Sequence, residues 1–331
     1  MNDIRVLYVI MDQLAGHWCD GVEVAPGIPP VNVWGYHKLG RIPHFSELIN
    51  KGLFAFTWNR QHCMTAAGVK YLATGCYNVG PIQTGDYYPR TEQNPGPMGV
   101  MEAIKRHNPQ KVNAATFTTA YWINPGYFYV PDISHGFPGM FPDDRMWGEF
   151  ALPYLRKRKN WNLAHVYLTT MDGVSLCPSY TPDPPDDCRK TKDAYIKHLD
   201  EIVAEMIDLV SADGGWDRTL IVIASDHGYH AGCTVAKARG AKSANFCADH
   251  PEPYDCYVYD FEADKPTNIL SCDARRTTCI ISGGALAPQF RGTIVDQAEI
   301  IDVAPTVADA MGVPFPCEGR SLLSAPRCRR A

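Results

Sequence analysis

Acids and a histidine directly follow two strongly apolar segments that lie far apart in this chain. Residues 6–11 lead into Asp12, and residues 221–225 lead into Asp226 and His227. Continuous apolar runs of this length are typical of buried parallel strands, and open α/β sheets carry their functional residues at the carboxyl ends of strands. Carboxylate and imidazole groups are suitable ligands for a divalent metal ion. The two segments therefore predict a metal site that contains Asp12, Asp226 and His227.

A third segment places a hydroxyl at the expected start of a helix. Thr65 precedes a one-sided helical run that ends at Gly75. One interpretation is an N-cap, a position that threonine favours. The other is a nucleophile, because free backbone N–H groups and the helix dipole stabilise negative charge at a helix N-terminus. A threonine hydroxyl needs a base or a metal ion to become a good nucleophile. The segment alone leaves both interpretations open.

Alternating strands and helices predict the framework that positions these groups. Apolar runs predict buried strands at residues 5–11, 112–117, 164–170, 219–225 and 278–282. Helical periodicity predicts helices at residues 43–51, 65–73, 97–106, 190–211 and 297–311, the last of them stopped by Gly312. This order predicts a single α/β domain over residues 1–331, with a central, mainly parallel sheet and helices on both faces. The long irregular stretches 121–148 and 231–272 are typical of functional loops.

Composition limits the classes of partner and compartment. The net charge of −5 argues against a nucleic-acid surface, and no apolar run reaches membrane-spanning length, so we expect neither nucleic acid nor membrane as a partner. With Met1 as the native start we expect a cytoplasmic protein, and a secreted one if a signal peptide has been removed. The 12 cysteines contain no C-x-x-C pair, which favours reduced thiols over a zinc ribbon or a disulfide framework. Oligomeric state and disulfide state stay open.

Several motifs follow one another in an order that matches a known superfamily. They are Asp12 after the first strand, Thr65 ahead of Thr74 and Gly75, Asp172 after a middle strand, and Asp226–His227 within Ser-Asp-His-Gly. This order resembles the alkaline phosphatase superfamily, especially its sulfatase-like and nucleotide pyrophosphatase/phosphodiesterase branches. Residues 275–284, 301–312 and 318–323 resemble the late core strand, the following helix and the closing segment of sulfatases. The resemblance spans nearly the whole chain and implies one alkaline-phosphatase-like catalytic domain.

The resemblance implies a mechanism as well as a fold. Asp12, Thr65, Asp226 and His227 match one complete metal site in which the nucleophile is itself a ligand. Zinc is the expected ion, with manganese as the alternative, because imidazole favours either over calcium. Such an ion would lower the pKa of the hydroxyl and neutralise a phosphoryl oxygen. The expected activity is metal-dependent hydrolysis of a small phosphoester, with a phosphodiester or phosphonate ester favoured, through a covalent phosphothreonine.

A second metal site has weaker support. Asp172 matches a metal-binding aspartate of the phosphodiesterase branch, but that branch has a histidine four residues later, where this chain has Leu176. His230 and His250 are the candidates to complete the site from the long loop. The transferase branch that makes phosphoethanolamine and lipoteichoic-acid linkages also has a threonine nucleophile and a single metal ion. We therefore favour one ion over two.

Basic and aromatic residues near these motifs are candidates to bind substrate. Arg60, His62 and Lys70 flank Thr65, and Lys265 lies before Arg275 at a spacing similar to that of the substrate-binding lysine of sulfatases. Each has the alternative role of an ordinary surface cation. The loops add further candidates: Lys237, Arg239, Lys242 and the aromatic pair Tyr121 and Trp122.

Three other functions stay open. The first is a transferase that passes the phosphoryl-bearing group to an alcohol or amine. The second is a sulfatase, although Thr65 is followed by Ala-Ala-Gly-Val and lacks the C/S-x-P/A-x-R motif from which sulfatases make formylglycine. The third is a noncatalytic binding protein that has kept the fold.

Overall fold

The computed structural model describes eleven segments of the chain: residues 4–18, 27, 29–79, 96–118, 133–136, 143–172, 192–228, 257–260, 265–270, 274–324 and 328–330. Their strands are β1 (Arg5–Met11), β2 (Leu53–Trp58), β3 (Ala114–Thr118), β4 (Ile133–Gly136), β5 (Leu163–Leu168), β6 (Thr219–Ala224), β7 (Tyr257–Asp260), β8 (Lys265–Leu270), β9 (Arg276–Thr277), β10 (Cys279–Ser282), β11 (Thr293–Glu299) and β12 (Cys328–Arg330).

The described helices alternate with these strands for most of the chain. They are α1 (Val33–Lys38), α2 (Pro43–Lys51), α3 (Thr65–Thr74), α4 (Val100–His107), α5 (Asp143–Arg145), α6 (Leu152–Lys157), α7 (Lys192–Ser211) and α8 (Val303–Ala310). A π-helical segment, Met146–Ala151, joins α5 to α6. None of the helices in this part of the chain is both long and apolar enough to cross a membrane.

One large sheet organises the molecule. Its strand order is β12-β11-β2-β10-β6-β1-β5-β3-β4, with β9 added beside β2. β1 lies at the centre and pairs in parallel with both β5 and β6, whereas β10 is antiparallel to its neighbours β2 and β6. The central strands therefore end at one edge of the sheet. This arrangement confirms the predicted α/β fold with a mainly parallel sheet.

Helices cover both faces of the sheet because its central strands are apolar on both faces. On β1, Val6, Tyr8 and Ile10 pack in a core with α3, α4 and α8. The alternate residues of the same strand pack in a second core with α1, α2, α6 and α7. Every residue of β1 is buried. A strand with two buried faces gives the continuous apolar run seen in the sequence.

The largest error in the predicted elements concerns the helix expected at residues 297–311. β11 continues to Glu299, a 3₁₀ turn covers Ile300–Asp302, and α8 begins only at Val303. Glu299 and Asp302 form a capping box, in which each side chain accepts a hydrogen bond from the other residue's backbone N–H. A capping box marks a helix start, so this pair separates the strand from the helix. The strand β2 was not predicted, nor was the hairpin of β7 and β8 within the stretch expected to be irregular.

Candidate functional site

Three acids follow three neighbouring strands. Asp12 follows β1, Asp226 follows β6 after one residue, and Asp172 lies in the turn after β5. All three side chains are buried. Because β6, β1 and β5 are adjacent and parallel, their carboxyl ends bring these acids to the same edge of the sheet.

Asp12, Asp226 and His227 form a compact group of ligand atoms. His227 Nε2 lies 3.3 Å from Asp12 Oδ1 and 3.8 Å from Asp226 Oδ2. One ligand atom from each residue falls within 4.8 Å of the others. Thr65 joins the group, with its Oγ1 3.3 Å from the same His227 nitrogen. The structure thus brings together the four residues that the sequence placed in one metal site.

The hydrogen bonds around this group suit a divalent metal ion. Asp12 Oδ1 is buried and has no hydrogen-bond partner. His227 Nδ1 lies 2.8 Å from the Gly228 carbonyl oxygen, to which it donates, so Nε2 faces Asp12 and Thr65. Metal-binding histidines characteristically donate their second ring N–H to a carbonyl or carboxylate. An unpaired carboxylate oxygen and an oriented imidazole nitrogen are the donors that zinc or manganese requires.

The hydroxyl of Tyr167, on β5, bridges the carboxylates of Asp12 and Asp226. Its hydroxyl lies 2.7 Å from Asp12 Oδ2 and 3.1 Å from Asp226 Oδ2. Asp226 Oδ1 is held separately, by the backbone N–H groups of Gln13 and His227 at 3.1 and 2.9 Å. These contacts fix the rotation of both carboxylates and direct Asp12 Oδ1 toward His227.

The group has the electrostatics of a cation site. Burial raises the pKa of Asp12 well above its usual value, and the nearby charges of Asp226 and Asp172 raise it further. Burial alone would lower the pKa of His227, but the nearby carboxylates of Asp226 and Asp12 outweigh it and raise that pKa well above normal. Three buried acids in one place favour bound positive charge, which protons or a metal ion can supply.

Helix α3 brings Thr65 to this group. Thr65 is the first residue of α3, and the N-cap position belongs to Met64, so the N-cap interpretation of Thr65 does not describe the structure. Gly68 allows the close approach, because a Cβ there would lie 2.1 Å from the Asp226 carbonyl oxygen. The first turn of α3 therefore packs directly against the turn that carries Asp226 and His227.

Asp172 takes part in a second set of hydrogen bonds, which runs through Gln13. Its Oδ1 lies 2.6 Å from Gln13 Nε2, and the Gln13 side-chain oxygen accepts a hydrogen bond from Lys192. Lys192 Nζ also donates to the Met171 carbonyl, at 3.0 Å. Gln13 has a φ of 59°, a left-handed conformation that is unusual for a residue other than glycine.

Asp143, in α5, holds the turn that carries Asp172. Its carboxylate accepts hydrogen bonds from the N–H groups of Thr169 and Thr170 and from the Tyr195 hydroxyl. These bonds end β5 at Leu168, short of the strand end predicted at residue 170. Burial raises the pKa of Asp143 to about 6, although the three hydrogen bonds oppose that rise.

The predicted substrate-binding residues near Thr65 occupy different environments. The Arg60 guanidinium is exposed and pairs with Glu299 at 2.7 Å. It lines a surface cavity of about 690 Å³ that also contains Trp58 and Arg320. His62 is exposed, while Lys70 is buried on α3. The substrate-binding roles of these three residues remain predictions.

Several predicted residues lie outside the described part of the chain or have undescribed side chains. His230, His250, Leu176, Lys237, Arg239, Lys242, Tyr121 and Trp122 lie outside it, and Lys265 begins β8 without a described side chain. Their roles remain predictions. Of the described cysteines, Cys63, Cys76, Cys279 and Cys317 are free thiols.

Sequence reasoning missed Tyr167, Gln13, Lys192 and Gly68. Tyr167 sits within an apolar strand and Lys192 at the start of a long helix, and neither position carries a local signal. Gln13 could have been noticed because it directly follows Asp12 at a strand end.

Solved structures with the same fold are distant in sequence. A lipoteichoic acid synthase, LtaP, from Listeria monocytogenes is 15% identical with a TM-score of 0.58, over 98% of this chain and 75% of that one. A member of the alkaline phosphatase superfamily from Vibrio parahaemolyticus is 13% identical with a TM-score of 0.55, over 98% and 71%. The PsFucS1 sulfatase from Pseudoalteromonas sp. is 14% identical with a TM-score of 0.54, over 95% and 70%.

The family comparison is more specific. Curated protein sequences give no match to this chain. The model of the type I phosphodiesterase / nucleotide pyrophosphatase family matches residues 57–245, which is more than half of the chain. That span contains Thr65, Asp172, Asp226 and His227. The chain therefore belongs to the type I phosphodiesterase / nucleotide pyrophosphatase family, within the alkaline phosphatase superfamily.

Proposed function

We propose that this protein is a metal-dependent phosphoester hydrolase that uses the Thr65 hydroxyl as its nucleophile. The observation that carries the proposal is the position of Thr65 Oγ1, 3.3 Å from His227 Nε2, beside a carboxylate oxygen of Asp12 that lacks a hydrogen bond. Family membership supports an ester hydrolase. The favoured substrate is a small phosphodiester or phosphonate ester, because the sequence motifs supply a full ligand set for the first metal site, whereas the second has Leu176 where the phosphodiesterase branch has a histidine.

Asp12, Asp226, His227 and Thr65 would hold one zinc ion, with manganese as the alternative. When bound, the ion supplies Lewis acidity, which lowers the pKa of the Thr65 hydroxyl and offsets charge on the phosphoryl oxygens. Tyr167 keeps the two carboxylates in the orientation that this site requires. The Gly228 carbonyl keeps the proton of His227 on Nδ1, so that Nε2 stays available as a ligand.

Thr65 and the first turn of α3 would carry out the nucleophilic substitution at phosphorus. Thr65 loses its proton to solvent, its oxygen bonds to phosphorus, and the bond from phosphorus to the leaving alcohol breaks. The N–H groups of the first turn of α3, together with the helix dipole, would stabilise negative charge on the transferred group. Water then attacks the phosphothreonine ester, which restores the Thr65 hydroxyl and releases the product.

Thr65→Ala and Thr65→Ser test the nucleophile. We expect Thr65→Ala to lose at least about 10³-fold in turnover of aryl phosphodiesters while it still folds, since removing a nucleophile leaves only residual catalysis. Thr65→Ser keeps a hydroxyl and should keep measurable turnover. Mass spectrometry of acid-quenched wild type should find the phosphoryl adduct on the peptide that contains Thr65. Wild-type rates in Thr65→Ala would reject the assignment.

The same assay separates the remaining functions. Faster turnover of aryl sulfates than of aryl phosphates would make the protein a sulfatase, in line with the fold it shares with PsFucS1. Products that carry an added alcohol, instead of water, would make it a transferase. If the protein neither turns over substrate nor binds metal after zinc or manganese is supplied, it is a noncatalytic binding protein.

A further inference from the structure

The described surroundings of Asp172 contain a hydrogen-bond donor and no further metal ligand. Its Oδ1 faces the side-chain amide nitrogen of Gln13 at 2.6 Å, and an amide N–H is a hydrogen-bond donor, not a metal ligand. Among the described residues, the group of acids and histidines close enough to share an ion contains Asp12, Asp226 and His227 but not Asp172. The described residues around Asp172 therefore do not supply the ligand set of a second ion.

A buried ammonium lies on the other side of the same amide. Lys192, the first described residue of α7, is 9% exposed, and its Nζ donates to the Gln13 side-chain oxygen and to the Met171 carbonyl. Gln13 thus links the ammonium of Lys192 to the carboxylate of Asp172. A buried ammonium is costly unless a negative charge compensates it, and the nearby buried acids supply that charge.

The backbone of Gln13 is held in the conformation that makes this link. Its left-handed φ of 59° is costly for a side chain with a Cβ, by about 1 kcal/mol. In that conformation its N–H donates to Asp226 Oδ1, while its side chain reaches Asp172 and Lys192. Gln13 therefore connects the metal-site carboxylate to the Asp172–Lys192 pair.

We propose that the ammonium of Lys192, fixed by Gln13 beside Asp172, takes the place of a second metal ion. The three buried acids are then balanced by one divalent ion at Asp12, Asp226 and His227 and by the ammonium of Lys192 on α7. The protein holds a single metal ion, and Lys192 is a positioning residue that acts through Gln13 and Asp172. This inference rests on the proposed function, because it takes the first site to be a metal site.

Metal stoichiometry tests the inference without any measurement of activity. The wild-type protein, stripped with a chelator and titrated with Mn²⁺ or Zn²⁺, should bind one equivalent of ion by calorimetry and by elemental analysis after gel filtration. Two tightly bound equivalents would overturn the Lys192 proposal and leave the proposed hydrolase intact. No bound ion at all would overturn both.

Charge variants test the role of Lys192 itself. Lys192→Met removes the positive charge that Gln13 links to the acids of the site, so the site should bind a cation more tightly and the Kd for Mn²⁺ should fall at least about tenfold. The double variant Lys192→Met with Asp172→Asn restores the net charge and should return to within about threefold of wild type. Lys197→Met, which removes an exposed lysine from the same helix, is the matched control and should leave the Kd unchanged.

Two results would reject the role of Lys192. One is a Kd in Lys192→Met equal to that of Lys197→Met. The other is a double variant whose Kd for Mn²⁺ differs from the wild-type Kd as much as the Kd of Lys192→Met does. If Lys192→Met fails to fold, the charge-neutral double variant and Lys192→Arg still decide the question, because both should bind one equivalent with near-wild-type affinity.

Discussion

Removing the Tyr167 hydroxyl should weaken metal binding while leaving the fold intact. The hydroxyl contacts Asp12 Oδ2 at 2.7 Å and Asp226 Oδ2 at 3.1 Å, and Tyr167 is fully buried. In Tyr167→Phe, both carboxylates lose the contact that sets their rotation. Loss of a comparable supporting contact around a metal site typically costs 10–100-fold in affinity, or about 1.4 to 2.8 kcal/mol.

Tyr8→Phe is the matched control for this change. Tyr8 is a buried tyrosine on the adjacent strand β1, and its hydroxyl donates to the Leu72 carbonyl at 2.9 Å, away from the acids. Losing that hydrogen bond should cost about 1 kcal/mol of folding stability and leave metal affinity unchanged. Calorimetric titration of the two variants with Mn²⁺ compares them directly. Equal metal affinities in Tyr167→Phe, Tyr8→Phe and wild type would refute the reasoning that Tyr167 orients the ligands.

Three further predictions follow from the packing and the buried charges. Gly68→Ala should force α3 away from the Asp226 turn and lower both turnover and stability, whereas Gly148→Ala, a helical glycine with open space around it, should behave as wild type. Asp143→Asn tests the effect of a buried acid on stability. Because the pKa of Asp143 is raised from 3.8 to about 6, wild type should lose about 3 kcal/mol of stability relative to the variant as pH rises from below 3.8 to above 6, measured by urea unfolding with chelator present. Zinc at 100 times its Kd should stabilise wild type by about 2.7 kcal/mol in the same unfolding assay, and His227→Ala should abolish that gain.

The sequence was most informative where a residue's position follows from the end of a strand. Asp12 and Asp226 are neighbours because β1 and β6 are adjacent parallel strands, and an apolar run that stops at an acid is visible in the sequence. The approach of Thr65 also depends on Gly68, which only the packed structure reveals as the point of contact. The antiparallel direction of β10 could not be predicted either, because a buried strand gives the same apolar run whichever way it lies in the sheet.

Residues that act across strands could not be predicted from one sequence. Tyr167 belongs to the apolar pattern of β5, and only its position beside Asp12 and Asp226 gives its hydroxyl a role. Lys192 reaches Gln13 across 179 residues of sequence. Such contacts depend on strand order and helix placement, which a periodic pattern does not encode.

The strand order also decides when the site can exist during synthesis. Gln13 and Asp226, joined by a hydrogen bond at the site, are separated by 213 residues. β1, whose two faces are both apolar, is synthesised long before its partner β6. Until then no partial chain can hold a metal ion through these ligands, and β1 must be kept from other contacts. Under the proposed function, metal binding would follow the synthesis of His227, and a chain that stops before Asp226 should bind no ion through these ligands.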